Sequence, residues 1–63
     1  GLVVVKGSNG HPMDIGIFDV RGALLRQERA VETQLDLSDL PTGTYLLRLS
    51  VDGVVHTRRV VRR

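Results

Sequence analysis

Two histidines, three serines, a short cluster of carboxylates and a run of arginines are the groups in this 63-residue chain that could do chemistry. His11 and His56 are far apart in sequence, and neither has the i+4 histidine and intervening Glu of a zinc peptidase helix. Ser8, Ser38 and Ser50 lack the Gly-x-Ser-x-Gly elbow of a hydrolase nucleophile. There is no Cys, so neither a thiolate zinc site nor a disulfide can form. Asp36, Ser38 and Asp39 could offer oxygens to Ca²⁺, but the glycine and terminal Glu of an EF-hand loop are missing. Turn and cap carboxylates account for them more simply. Gly7, Gly10 and Gly16 are too scattered for a phosphate loop. Phe18 and Tyr45 are the whole aromatic complement, too few for a sugar-stacking platform. No cofactor, no metal and no catalytic residue is expected.

The arginines are the strongest remaining signal. Arg58, Arg59, Arg62 and Arg63 make the last ten residues +4, which leaves −2 on the first 53. A basic end suits nucleic acid or an acidic surface. It also suits an edge strand whose charges discourage aggregation. The near absence of stacking aromatics argues against nucleic acid. Val, Leu, Ile and Phe supply 22 of the 63 residues, enough to exclude a disordered chain. No apolar run approaches the roughly 20 residues of a membrane span, and no basic segment followed by an apolar stretch opens the chain. A domain this small buries only about 60% of its unfolded surface. It is expected to be one domain and a piece of a larger protein.

The elements that would position these groups follow a period of two, with many β-branched residues. Strands are expected at Leu2–Lys6, Met13–Val20, Ala23–Glu28, Val31–Leu37, Thr44–Val51 and Val54–Val61. Gly7–Pro12 reads as a loop, and Arg21-Gly22 as a turn with positive φ at Gly22. Val31, Thr33, Leu35 and Leu37 form a dry face, as do Met13, Ile15 and Ile17, and Tyr45, Leu47, Leu49 and Val51. Ser38–Gly43 makes a corner with Leu40 inward, Pro41 fixing φ, and Ser38 able to cap a single helical turn. The Leu40-Pro41-x-Gly43-x-Tyr45 spacing predicts a tyrosine corner, its hydroxyl returning to the backbone just upstream. Gly43 would leave room for that crossing or take a left-handed geometry. Asp52-Gly53 is a hairpin signal with two registers. A two-residue loop puts His56 and Arg58 on the face of Leu49 and Leu47. A bulged three-residue loop puts Val55, Thr57, Arg59 and Val61 there. The bulge is preferred because it keeps His56 and Arg58 wet. The fold class is all-β, an antiparallel sandwich or small barrel of five or six strands.

Three segments together are more specific. Ile15–Leu25 contains the Asp19-x-x-Gly22 turn, Leu35–Leu49 contains Leu40-Pro41-x-Gly43-x-Tyr45, and Asp52-Gly53 precedes Arg58-Arg59-Val60-Val61. In order and spacing they resemble the C-terminal sorting domain of the type IX (Por) secretion system of Bacteroidota, over nearly all of residues 2–63. Phe18 stands where that family usually has Tyr, Arg59 where it has Lys, and Ala23 where Lys or Arg is common. The family's upstream Asn-Pro segment and first strand have no counterpart here.

The resemblance implies an immunoglobulin-like antiparallel β-sandwich of about six strands. It implies a secretion signal rather than an activity, at the end of a secreted or cell-surface parent protein that travels through the periplasm. The implied partners are the type IX translocon, a sortase-like surface peptidase that removes the domain, and the passenger domain. A missing strand would leave an edge open to a strand-exchanged homodimer. Asp19, Gly22, Leu40, Pro41, Gly43, Tyr45 and Gly53 would hold the fold. Arg58, Arg59, Val60, Val61, Arg62 and Arg63 would present a cationic strand to a receptor. The rival readings are an immunoglobulin-like spacer in a surface enzyme and a nucleic-acid-binding β module.

Overall fold

The computed structural model describes residues 2–7 and 10–63. Six strands follow one another along the chain: β1 (Leu2–Lys6), β2 (Met13–Asp19), β3 (Leu24–Ala30), β4 (Glu32–Asp36), β5 (Gly43–Val51) and β6 (Val54–Arg62). β1 and β4 pair as a two-stranded sheet, and the other four form a sheet in the order β3-β2-β5-β6. All pairings are antiparallel. Of the sandwich and the small barrel that the alternating pattern allows, the chain forms the all-β sandwich. Of the Gly7–Pro12 loop, Ser8 and Asn9 lie outside the described residues.

The core forms where the dry faces of the two sheets meet. Val5 and Leu35 come from the small sheet, and Leu37 from the segment after it. Met13, Ile15, Ile17, Tyr45 and Leu47 come from the large one, and all eight are buried. Val3, Leu40, Leu49, Val51 and Val60 pack around them, partly buried. Period two produces this arrangement directly, because residues i and i+2 of a strand face the same way. Val31 departs from the expected dry face. It is 45% exposed in the bend between β3 and β4, so the dry face begins at Thr33.

The last hairpin takes the register that the sequence argument set aside. Val51 pairs with Val54, Leu49 with His56 and Leu47 with Arg58. Asp52 and Gly53 both have positive φ, 50° and 79°, as a two-residue turn of the primed kind requires. His56 and Arg58 are therefore on the inward face of the large sheet, yet both are exposed. The premise that an inward position is a dry one fails here for a geometric reason. Two strands cannot roof four, and β6 extends beyond the cover of β1.

Candidate functional site

The residues singled out in the sequence fall into two groups, one that shapes the backbone and one that lines a surface. In the first turn, Asp19 acts through its side chain. Its Oδ1 accepts from the N–H groups of Arg21 at 2.9 Å and Ala23 at 3.0 Å. Its Oδ2 accepts from the Arg21 guanidinium at 3.1 Å. The backbone of Asp19 closes the same loop with Ala23 and Gly22. Gly22 has φ +92°, which a side chain would strain. These bonds favour the charged carboxyl. The Ala23 N–H holds Asp19 below the usual carboxylate range, against some desolvation and with help from Arg21.

The corner before β5 is built the same way. The Tyr45 hydroxyl donates to the carbonyl of Pro41, the return contact that the spacing predicts. Leu40 is half-buried against the core, and its N–H bonds the Leu37 carbonyl at 3.0 Å. Gly43 has φ +153°, outside the left-handed helical well, and a Cβ there would meet nothing within 4 Å. Backbone conformation, rather than room for a crossing, is what asks for glycine at this position. The helical turn that Ser38 could cap does not form: residues 38–40 make a plain turn, in which the Ser38 N–H donates to Asp36 Oδ1 at 2.9 Å. That bond, first among several, keeps the Asp36 carboxyl below its usual range.

Arg26 is a structural residue that strand periodicity did not reveal. It pairs with Ile17 across β2 and β3, which puts a guanidinium on the dry face. Its Nη1 donates to the Asp36 carbonyl at 2.7 Å, and its Nη2 to both Asp39 oxygens at 2.7 and 2.9 Å. The Asp36, Ser38 and Asp39 oxygens weighed as Ca²⁺ donors are thus directed at protein partners. Glu28, also inward, accepts from Thr33 Oγ1 of the opposite sheet at 2.7 Å. A charged residue at an inward strand position is the available signal, and it becomes readable only once the facing sheet is known.

Phe18 is on the outer face of the large sheet. A Cβ at Gly16 would lie 2.9 Å from its ring, and the Arg48 guanidinium is 5.2 Å from the ring centre. The glycine thus makes a bed for the ring, and the arginine stacks on it. His11 Nδ1 is 2.9 Å from Asp52 Oδ2, which ties the first loop to the tip of the last hairpin.

The arginines divide. Arg58, Arg59 and Arg63 are exposed, and none makes an ion pair or side-chain hydrogen bond among the described residues. Arg62 is half-buried, and its Nη2 donates to the Ser38 carbonyl at 3.1 Å. It fastens the end of β6 to the corner. Val60 pairs with Tyr45 and packs on the core, whereas Val61 is 51% exposed. The six residues expected to form one cationic strand therefore comprise an anchored pair, Val60 and Arg62, and four exposed residues.

Beside β6 runs an open groove of about 610 Å³. Leu47 and Leu49 form its floor, Val3–Lys6 one wall, and Arg58–Val60 with His56 the other. No acidic residue lines it. Among the described residues, no group of three His, Cys, Asp or Glu side chains converges as a metal site would require. No helix among them is long and apolar enough to cross a membrane.

A family model described as "Secretion system C-terminal sorting domain" matches residues 2–63. No curated protein matches the chain at a significant level.

Proposed function

Given that the chain belongs to the family of type IX secretion C-terminal sorting domains, we propose that it carries a parent protein across the outer membrane from the periplasm. The family makes it a sorting signal that works with the type IX machinery as part of a parent chain, bound for the cell surface or the extracellular space. In our reading, residues 1–63 act as a single domain. A sortase-like surface peptidase then removes it and attaches the parent to the surface. The domain itself performs no reaction. The match across residues 2–63 carries this proposal.

Two features support a division of labour inside the domain. Asp19, Gly22, Leu40, Pro41, Gly43, Tyr45 and Gly53 fix turns and the corner, so their task is to keep the shape that the machinery meets. Arg58, Arg59 and Arg63 offer charge to a receptor, and a free strand edge beside them offers main-chain groups. Val60 and Arg62 serve the fold, so trimming the last four residues would damage shape and charge together.

The test is a reporter fused to this domain through its native upstream linker in a type IX host. The unmodified fusion is expected in the medium or on the surface, and a Tyr45→Ala fusion inside the cell. Replacing Arg58, Arg59 and Arg63 together by Gln should reduce export while leaving thermal melting unchanged. Normal export of that triple variant would remove the charge-reading role. Export no better than that of the bare reporter would leave the spacer reading in its place.

A further inference from the structure

We propose that the groove between β1 and β6 is a strand-acceptor site, and that it takes an extended acidic segment of a partner protein as a new strand beside β1. The inference names the chemistry of what the domain meets, and it rests on the sorting reading only for the source of that partner.

The Gly7 N–H donates to the Val31 carbonyl at 2.9 Å, so Gly7 and Val31 form a hydrogen-bonded pair at the end of the β1–β4 ladder. In an antiparallel ladder such pairs alternate with pairs whose N–H and C=O groups point away from the partner. Val5 and Val3 therefore bond to β4. The main-chain groups of Lys6, Val4 and Leu2 point to the free edge. This explains why Val4 and Lys6 line the groove although neighbouring strand residues have opposite side-chain faces. An unpaired strand edge is a template for another strand.

The floor decides which edge is extended. A strand added to β6 would widen the large sheet and leave the groove uncovered. A strand added to β1 would widen the small sheet over β5 and β6, about 10 Å above them, the usual spacing of stacked sheets. There it would cover Leu47 and Leu49. Its inward side chains would alternate between apolar contact with these residues and polar contact with the Arg58 guanidinium and the His56 ring. Lys6 and Arg59 stand on the two rims, and the lining has no acid to oppose an incoming carboxylate. A second copy of this chain would bring its own cations to the rims. A nucleic acid has no peptide groups to continue the ladder, and no aromatic ring lines the groove to stack its bases. An extended peptide bearing acids satisfies both the main chain and the charge.

The experiment titrates the 63-residue chain with two synthetic peptides of about six residues, the usual strand length. One alternates Glu with Val and the other Lys with Val. Backbone amide resonances report the position of binding. The Glu peptide should bind saturably, more weakly as salt rises, and should shift the amides of Val4 and Lys6. The Lys peptide should not bind. Val4→Pro removes an N–H that the fold does not use, a position where an edge strand tolerates proline. It should weaken binding by about tenfold or more. Should that variant melt early, Arg58→Glu carries the test: it should weaken binding of the Glu peptide and narrow its advantage over the Lys peptide at an unchanged melting temperature. Equal binding of the two peptides, or shifts confined to β3 and β4, overturns the proposal. So does a dimer whose Val4 amide is already protected without peptide. Binding is read in solution and export in cells. A chain that exports a reporter but ignores both peptides sinks this inference and leaves the sorting reading standing.

Discussion

On one side of the sandwich, between β3 and β4, charged groups cross from sheet to sheet. Arg26 reaches the Asp36 carbonyl and both oxygens of Asp39, and Glu28 meets Thr33. On the other side, between β1 and β6, no such bond is made among the described residues, although His56 and Arg58 occupy equivalent inward positions. Both sides have the same difficulty: a sandwich must end, and its last inward residues are neither buried nor free. The first side resolves this with polar bonds that the fold satisfies internally. The second leaves cations and peptide groups toward solvent, where a partner could satisfy them. An inward arginine is therefore structural or available according to what the facing sheet puts opposite it.

The largest expected effect is at Tyr45, which is buried in the core between the two sides and bonds the Pro41 carbonyl at the corner. Tyr45→Ala should cost about 3–5 kcal/mol, as removal of a buried aromatic usually does. For so small a domain that is enough to abolish cooperative melting by circular dichroism. A variant that still melts sharply would separate the corner from the rest of the fold.

The second prediction sets the two sides directly against each other. Arg26→Ala should lose about 1–2 kcal/mol in urea denaturation, because a carbonyl and a carboxylate lose their donor. Arg58→Ala should lie within about 0.5 kcal/mol of the parent, since it has no partner to lose. Equal losses would dissolve the distinction between a sealed side and an open one.

The smallest effect concerns acid. Asp19 and Asp36 are both held below the usual carboxylate range in the folded chain. A depressed folded value means that the unfolded chain takes up protons first as pH falls. The stabilisation is complete above the unfolded value of about 3.9 and is lost as pH drops through the folded value. Asp19→Asn and Asp36→Asn should each flatten the fall of the melting temperature below about pH 4. An unchanged acid slope in both variants would mean that the turn bonds do not favour the ionised forms.

Much of this was readable from residue order. Met13, Ile15 and Ile17, and Thr33 and Leu35, announce their strands because one side of each is turned to the core and period two then has no competing interpretation. Tyr45 and Gly22 announce their turns because few residues suit those geometries. What escaped were properties of the space between sheets. Arg26 finds Asp39 across a gap that no local pattern encodes. The register of the last hairpin is not legible, because solvation of His56 and Arg58 depends on how far the opposite sheet extends and not on the strand face alone. Ser38 has the type of a helix cap, but no helical turn follows it, and the Asp36 carboxylate takes its N–H from two residues upstream.

Among the described residues, the main-chain bonds join strands within each sheet and none joins β1 to the larger sheet. No side-chain hydrogen bond involves Leu2–Lys6 either. Traction applied at Leu2, where a passenger would be tethered, is then borne by the β4 ladder and by the grip of Val5 and its apolar neighbours. Under load this end should yield before the corner does, so a pulled domain would part along its greased layer while the arginine-bearing strand keeps its place.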